Sequence, residues 1–311
     1  MKDIRTCAGL AAMTIAGALT AATATAQTFQ TGGPLGSINE AGEAMTISDN
    51  VKVYGSFRFS ESCTFDPERN LILAMNAGVP QEQQENDGYV SLINPDGSVH
   101  TTKWIGATRD GLELNHPIGS ALAHGMLYTV DAGVVRTFDL ASGAPRDAFP
   151  VEGSTFLNGI GVDADGNMYA SNTRPPERLY KVTADGDVSI LVEGAPLAIP
   201  NGVAVDPDGN VVVVNIGDNA VLSFDPDSGE LLNTEHAYEG GNDGLVILED
   251  GTKYVSSVRF GSVSRIRPGQ EAEVVAYGIP TAASMCYDSV QNQLVIPMNN
   301  HNALAFVQLD D

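Results

Sequence analysis

Two stretches of the sequence are close copies of each other, and both begin with the same polar pair. Residues 158–172 read NGIGVDADGNMYASN, and residues 201–215 read NGVAVDPDGNVVVVN. In each copy an Asp lies five residues after the first Asn, and a turn glycine lies eight residues after it. The amide oxygen of such an Asn is a ligand that hard cations prefer. The spacing therefore raises the question of which residues occupy the corresponding position in other repeats of this pattern.

The same frame recurs in four further places. The six starting residues, here called the anchors, are Glu61, Ile118, Asn158, Asn201, Asp243 and Ala283. Each begins a unit of roughly forty residues that contains a short apolar strand, an Asp/Gly turn, a second strand and two more strands. No stretch keeps a helical period of useful length. Four strands at this period are typical of a β-propeller blade.

The predicted fold is therefore all-β, a six-bladed β-propeller closed by an N-terminal strand. The sixth unit reaches residue 311 after only three strands, and the segment VKVYGSFRF at 51–59 is predicted to supply its fourth. Closure of the ring in this way removes an open sheet edge. We predict a signal peptide at 1–26, a loose lead-in segment at 27–50 and the propeller at 51–311.

The first 26 residues have the features of a secretory signal. Lys2 and Arg5 precede an uncharged stretch from 6 to 26 that ends in Ala24-Thr25-Ala26, a typical cleavage pattern. A membrane anchor is disfavoured because the stretch is rich in Ala and Thr and lacks a stop-transfer flank. We expect a soluble protein exported to the periplasm or secreted.

The net charge of the mature chain is strongly negative. The full chain carries −23, and removing Lys2, Arg5 and Asp3 (net +1) leaves −24. A field of this sign repels nucleic acid and anionic membranes and attracts cations. It is also compatible with a simple adaptation for solubility. We expect a small-molecule substrate, and the oligomeric state stays open.

In a propeller the first strand of every blade lines the central channel, so the six anchors should meet at one mouth. Four of them carry oxygen-bearing side chains: Glu61, Asn158, Asn201 and Asp243. Two carboxylates and two amides suit a divalent hard cation, above all Ca²⁺, and the absence of His or Cys disfavours zinc. Asn-Gly is also a strong hairpin signal, but here the turns are already supplied by DADG and DPDG.

The loops between second and third strands should surround the same mouth. Their polar residues are Asn76, Asp131, Asn172, Arg174, Asn215, Asp218, Arg259 and Asn299–His301, and His116 lies two residues before its anchor. The inserted loop at 76–88 is a candidate lid. The predicted cation site and the polar residues of these loops together indicate a binding site at this end of the channel.

The ordered set of Glu61, Asn158-Gly, Asn201-Gly and Asp243-Gly resembles the regucalcin/gluconolactonase (senescence marker protein) family, over nearly all of residues 50–311. The resemblance implies a divalent metal, usually Ca²⁺, held by Glu61, Asn201 and Asp243, with Asn158 as a ligand or substrate contact. It implies hydrolysis of lactones or, in the wider group, of esters. Sugar lactonases of the family have an Arg where this chain has Phe156. A less polar substrate, or one held by Arg174 or Arg259, is therefore expected. Each arginine is also compatible with being a solvated loop residue.

We expect water to attack the lactone carbonyl, with Asp243 as the first candidate for the general base and His116 and His301 as the others. Each His is also compatible with a simple packing role. Two alternatives stay open: a non-catalytic exported propeller that binds a small ligand or a protein, and an enzyme like strictosidine synthase that uses a Glu without metal. The metal reading is favoured over the latter by the amides beside Glu61.

The mature chain has two cysteines, Cys63 and Cys286. They lie just past the anchors of the first and sixth blades, which are neighbours across the closure. A disulfide is possible there in an exported protein. Two buried free thiols, acting as small hydrophobic residues, are slightly favoured.

Overall fold

The computed structural model describes residues 35–79, 84–106 and 112–310 of the chain. The predicted signal peptide lies outside these ranges and stays a prediction. Apart from one short 3-10 helix at Asn299–His301, the regular structure in the described ranges consists of β-strands. No helix there is long and apolar enough to cross a membrane.

Six four-stranded antiparallel sheets form the blades, as predicted. Blade 1 contains β4 (Ser60–Asp66), β5 (Leu71–Asn76), β6 (Tyr89–Ile93) and β7 (Val99–Gly106). Blade 2 contains β8 (Pro117–Ala123), β9 (Met126–Asp131), β10 (Val134–Asp139) and β11 (Pro145–Pro150). Blade 3 contains β12 (Leu157–Val162), β13 (Met168–Asn172), β14 (Arg178–Val182) and β15 (Val188–Glu193).

The other three blades follow the same plan. Blade 4 contains β16 (Pro200–Val205), β17 (Val211–Asn215), β18 (Ala220–Phe224) and β19 (Leu231–His236). Blade 5 contains β20 (Asn242–Ile247), β21 (Lys253–Ser257), β22 (Val263–Ile266) and β23 (Glu273–Ala276). Blade 6 contains β24 (Cys286–Asp288), β25 (Gln293–Met298), β26 (Ala303–Gln308) and the N-terminal β3 (Val51–Gly55).

The ring closes within the predicted segment 51–59, although the closing strand itself ends at Gly55. β3 pairs antiparallel with β26, from Gly55 opposite Ala303 to Val51 opposite Val307. The strands at the centres of the blades are apolar on both faces because each blade packs between two others. In β17, for example, Val211 to Val214 are completely buried. The outermost strand of the same blade, β19, is largely exposed and polar.

The lead-in segment differs from the expected loose coil. Two short strands, β1 (Gly36–Ile38) and β2 (Ala44–Thr46), form a hairpin. The Ser37 hydroxyl donates to the carbonyl of Phe260 at 2.7 Å, and the backbone of Ser48 donates to that of Tyr277 at 3.1 Å. Composition alone could not predict this hairpin, because its hydrogen-bond partners lie more than two hundred residues away, in blade 5.

Candidate functional site

A β-bulge at the anchor interrupts the first strand of every blade. In blade 3 the pairing steps from Leu157–Asn172 to Ile160–Ala170, so that one extra residue is accommodated around Asn158. The same extra residue occurs in blades 1, 2, 4 and 5. In blade 6 it lies between the Ala282–Met298 bridge and the Cys286–Val295 pair. Bulges redirect side chains, and here they do so at all six anchors.

The glycine that follows most anchors is required by close packing. A Cβ on Gly159 would collide with the carbonyl oxygen of Asn201, and one on Gly202 with that of Asp243. Each inner strand therefore lies against the next anchor. In blade 3 the Ser171 hydroxyl joins the two, because it accepts from the Gly159 amide at 2.9 Å and donates to the Asn201 carbonyl at 2.5 Å. The second residue of the repeated Asn-Gly pair thus brings the anchors together.

The four polar anchors are buried where they converge. Asn201 Nδ2 donates to Asp243 Oδ2 at 3.2 Å, and the Ser284 hydroxyl donates to the other oxygen, Oδ1, at 3.2 Å. Glu61 Oε2 accepts a 2.7 Å hydrogen bond from Asn299 Nδ2. None of the four anchors is more than 7% exposed. The sequence placed Asn299 on the rim but did not indicate that it binds a carboxylate.

The two carboxyl groups resist ionisation in this environment. Burial raises the pKa of Glu61 to about 7, although the hydrogen bond from Asn299 opposes the change. Burial, and then the charge of Glu61, raises the pKa of Asp243 well above its ordinary value, against the hydrogen bond from Ser284. Each acid is thus destabilised as an anion by burial, and Asp243 is destabilised further by its neighbour. A cation between them would reverse both effects.

Two amide oxygens at the site have no hydrogen-bond partner among the described residues. Oδ1 of Asn158 and Oδ1 of Asn201 are buried and accept no hydrogen bond. Unsatisfied buried acceptors are rare and costly, and two together beside two carboxylates form an oxygen set that fits a hard cation. No group of three or more His, Cys, Asp or Glu side chains suited to a metal occurs in the described ranges. A metal centre at this site would therefore need the amide oxygens of Asn158 and Asn201 as ligands.

A small cavity lies just below the anchors. Its volume is about 30 Å³, and Ser62, Ser120 and Ser284 form part of its lining. Ser62 and Ser120 are joined by a 2.8 Å hydrogen bond between their hydroxyl groups. This space holds about one water molecule. A space of this size does not hold a lactone.

A second ring of residues lies two positions before the anchors. It consists of Phe59, His116, Phe156, Ile199, Gly241 and Thr281. Phe59, Ile199 and Thr281 have φ angles of 46°, 54° and 50°, in a region that β-branched residues rarely adopt. Backbone strain of this kind concentrates at functional sites. The ring is aromatic on blades 1 to 3, where Phe59 stacks on His116 at 6.3 Å between ring centres.

The two candidate histidines differ in their surroundings. His116 is buried, and its Nδ1 lies 2.9 Å from the carbonyl oxygen of Ala77. Since a carbonyl only accepts, Nδ1 carries the proton and Nε2 keeps its lone pair. His301 is partly buried, with Nδ1 at 3.1 Å from the Thr281 hydroxyl. Burial lowers the pKa of both imidazoles, so both are neutral near pH 7.

The predicted substrate contacts lie at the same mouth. The Arg174 guanidinium lies over the ring of Phe156, 4.2 Å from its centre. Arg259 is exposed and packs over Gly241, where a Cβ would collide with its own Cβ. Each arginine thus contacts a residue two positions before a polar anchor.

Several predicted rim residues stabilise loops instead of facing the mouth. The side chains of Asn76, Asp131, Asn172 and Asn215 accept hydrogen bonds from backbone amides just before the anchors, among them those of Arg58, Asn115, Thr155 and Ala198. They end the second strand of their blades and fix the chain that leads into the first. The 76–88 loop is held through Asp87, which pairs with Arg58 at 2.8 Å. Residues 80–83 of the predicted lid lie outside the described ranges.

The two cysteines form a disulfide, which corrects the favoured prediction of free thiols. Cys63 and Cys286 join the inner strands of blades 1 and 6. The backbone of Ser284 also donates to the Glu61 carbonyl at 3.1 Å, and Ser62 pairs with Ser284. The sequence suggested that the strands were neighbours. It gave no means of deciding whether the two thiols were bonded.

Comparison with known proteins agrees with this architecture. The model of the SMP-30/gluconolactonase/LRE-like region matches residues 16–296, so the chain belongs to that family. No curated protein sequence matches the chain significantly.

Solved structures with the same fold are distant in sequence. A gluconolactonase from Xanthomonas campestris has a TM-score of 0.62 and 18% identity, covering 89% of this chain and 95% of its own. A structural-genomics gluconolactonase candidate gives 0.63 and 17%, covering 84% and 93%. Virginiamycin B lyase from Staphylococcus aureus gives 0.55 and 12%, covering 84% and 100%. These likenesses show the fold, which supports both lactonase and lyase chemistry.

Proposed function

We propose that this protein is a lactonase-type hydrolase that uses a divalent cation, Ca²⁺ by preference, to open a lactone or a related ester. Glu61, Asn158, Asn201 and Asp243 would hold the cation at the mouth of the channel. Membership of the gluconolactonase-like family supports the reaction class. The family match does not extend to the identity of the metal, which is argued from the residues.

One observation carries the metal proposal. The buried Oδ1 atoms of Asn158 and Asn201 lack partners, and the nearby carboxyl groups of Glu61 and Asp243 have raised pKa values. A site of this composition is poorly satisfied by itself. Two carboxylates match the charge of a divalent ion, and the amides complete an oxygen set of the kind that Ca²⁺ prefers.

A bound cation would supply Lewis-acid polarisation of the substrate carbonyl and stabilise the developing oxyanion. The chain itself supplies orientation and the proton acceptor. Asn201 and Ser284 hold the two oxygens of Asp243, and Asn299 holds Glu61. The aromatic part of the second ring would shield one side of the mouth from water. Water adds to the carbonyl carbon and gives a proton to the base. The C–O bond of the lactone ring then breaks, the ring oxygen takes up that proton, and a hydroxy acid leaves.

Asp243 is the first candidate for the base that takes the proton from water. His116 is the second, because its Nδ1–H bond to Ala77 leaves Nε2 free to accept. Asp243→Asn with the cation still bound should abolish turnover if Asp243 is the base. If His116→Gln abolishes turnover and Asp243→Asn retains it, His116 is the base.

The proposal is tested by calorimetric titration of Ca²⁺ into EDTA-stripped mature protein, with Glu61→Ala alongside. We expect one site in the wild type and none in the variant, followed by metal-dependent turnover in a panel of lactones and esters. Calcium binding without turnover would favour the non-catalytic binding propeller. Absence of binding in both proteins would refute the metal site.

We also propose export to the periplasm or the medium. The Cys63–Cys286 disulfide supports it, because such bonds persist in oxidising compartments. Cell fractionation with N-terminal sequencing tests the proposal. A mature protein that begins at Gln27 is expected, and an intact Met1 in the cytoplasm would refute it.

A further inference from the structure

The arginines of this acidic protein fall into two groups. Of the nine in the described ranges, seven form ion pairs with Asp or Glu: Arg58, Arg69, Arg136, Arg146, Arg178, Arg265 and Arg267. Arg174 and Arg259 form no ion pair within the described part of the chain. With 39 acidic residues against 16 basic ones, an arginine without a carboxylate partner is unexpected.

Both unpaired arginines lie at the mouth of the channel. Arg174 is in the loop between β13 and β14 of blade 3, and Arg259 is in the loop between β21 and β22 of blade 5. These loops are in equivalent positions and flank blade 4. Each arginine packs on the second-ring residue of its own blade, two positions before Asn158 or Asp243. Their shared position in the fold therefore distinguishes Arg174 and Arg259 from the other arginines, in addition to their lack of an ion pair.

Local contacts hold each arginine in place, and within the described ranges no carboxylate forms an ion pair with it. Arg174 lies flat on Phe156, and its carbonyl accepts from the Thr155 hydroxyl at 2.7 Å and from Asn172 Nδ2 at 2.7 Å. Stacking on an aromatic face leaves the in-plane N–H groups of a guanidinium available.

Two acids around the segment that leads to Gly241 accept hydrogen bonds from backbone amides. Glu239 Oε1 accepts from the Glu40 amide at 3.1 Å, and Glu40 Oε2 accepts from the Gly240 amide at 3.3 Å. Val258 next to Arg259 is also fixed, because its amide donates to the Gly241 carbonyl at 2.9 Å. Backbone contacts thus fix the loop, and among the described residues no carboxylate pairs with the Arg259 guanidinium.

We infer that Arg174 and Arg259 recognise a carboxylate on the substrate, so that the preferred substrate is an anionic lactone or ester. The inference rests on the proposed hydrolase function and adds the substrate class. A guanidinium binds a carboxylate through paired N–H donors, and charge at a cleft raises the local substrate concentration. In a protein of net charge −23, such a substrate would otherwise be repelled.

A matched pair of substrates tests the inference. We would compare 5-oxotetrahydrofuran-2-carboxylate with its neutral primary amide, which has the same lactone ring. Wild type should favour the carboxylate by about tenfold or more in kcat/KM, as expected for hydrogen bonds to a charged group. In Arg174→Gln and Arg259→Gln that ratio should fall, mainly through KM for the carboxylate. Arg267→Gln, an exposed arginine paired with Glu273 at the opposite end, should keep the wild-type ratio.

The outcomes separate this inference from the proposed function. Turnover of the amide equal to that of the carboxylate, with no effect of either variant, would overturn the inference and leave the hydrolase intact. If neither compound is turned over, calorimetry with glutarate in the presence of Ca²⁺ decides. Binding that weakens in both variants supports carboxylate recognition, and no binding to wild type overturns it.

Discussion

The same residue types are used in opposite ways at the two ends of the channel. In the far-side turn of blade 3, Asp163 accepts from the amides of Asp165 and Asn167, from Asn167 Nδ2 and from the Tyr169 hydroxyl. Burial opposes ionisation there, yet these hydrogen bonds hold the pKa of Asp163 below its ordinary value. At the mouth, burial and like charge raise the pKa of Glu61 and Asp243.

The amides show the same contrast. Asn167 and Asn210 in the far turns donate to Asp163 and Asp206 at 2.9 and 3.1 Å. At the mouth, the Oδ1 atoms of Asn158 and Asn201 have no partner. A satisfied cluster stabilises the fold, whereas an unsatisfied one needs something from outside the chain. We therefore expect the far turns to respond to mutation in stability and the mouth to respond in binding and catalysis.

The largest expected effect comes from one substitution at each end of the channel, Asp243→Asn at the mouth and Asp163→Asn in the far-side turn. Asp243→Asn should reduce turnover by about a thousandfold, since it removes both the first candidate for the base and a carboxylate of the proposed cation site. Asp163→Asn should lower the free energy of unfolding by about 1–3 kcal/mol because it weakens the turn. Steady-state kinetics and urea unfolding measure both. Loss of turnover in Asp163→Asn with normal folding would remove the distinction.

The second prediction concerns the glycines. Gly202→Ala should destabilise the protein by about 3 kcal/mol, because its Cβ meets the carbonyl of Asp243 and separates two inner strands. It should also weaken Ca²⁺ binding by displacing the anchors. Gly209→Ala in the far turn has φ of 88° and no atom within 4 Å of the added Cβ, so only about 1 kcal/mol of backbone strain is expected.

Calorimetry and thermal unfolding of the two glycine variants give the comparison. If Gly209→Ala weakens Ca²⁺ binding as much as Gly202→Ala does, close packing at the anchors is not what positions the site.

The glycines also show what the sequence could and could not predict. The repeat of about forty residues was enough for the six blades, for the closing strand at 51–59 and for the phase of the anchors. In the Asn-Gly pairs, the Asn was visible as a candidate ligand. The need for Gly159 and Gly202 depends on the neighbouring blade, and no single repeat carries that information.

Contacts between distant segments account for the remaining differences. The hydrogen bond from Asn299 to Glu61 spans 238 positions, and the disulfide spans 223. Asn172 and Asn215 look like site residues by composition, but they fasten backbone amides that lie 17 positions earlier. Sequence spacing gives the end of a blade on which a side chain lies. The partner of that side chain depends on tertiary packing.

A third prediction uses the pKa of Glu61 in metal-free protein. Its folded pKa of about 7 lies above the ordinary 4.5, so the folded state binds more protons between these values. The stability that the raised pKa of Glu61 contributes is fully present below about pH 4.5, and it is lost as the pH rises through 7. The loss is on the order of 3 kcal/mol. Ca²⁺ should restore stability at pH 7, since it binds the ionised site.

Urea unfolding in EDTA across this pH range measures the effect, with Glu61→Gln as the comparison. The variant cannot ionise at this position, so its stability should change less with pH. The same slope in wild type and variant would mean that another group titrates.

The smallest effect compares two serines that donate to an aspartate. Ser284 donates to Asp243 Oδ1 at 3.2 Å inside the site, and Ser228 donates to Asp225 Oδ1 at 2.8 Å in an exposed turn. The Ser284 bond favours the ionised carboxylate that a cation requires, so Ser284→Ala should weaken Ca²⁺ binding by about fivefold. Ser228→Ala removes a bond that water can replace, and Ca²⁺ affinity should not change. Calorimetry at constant pH distinguishes them. An unchanged affinity in Ser284→Ala would mean that Asn201 and the bulged backbone alone orient Asp243, because the hydroxyl would then have no share in preparing the carboxylate.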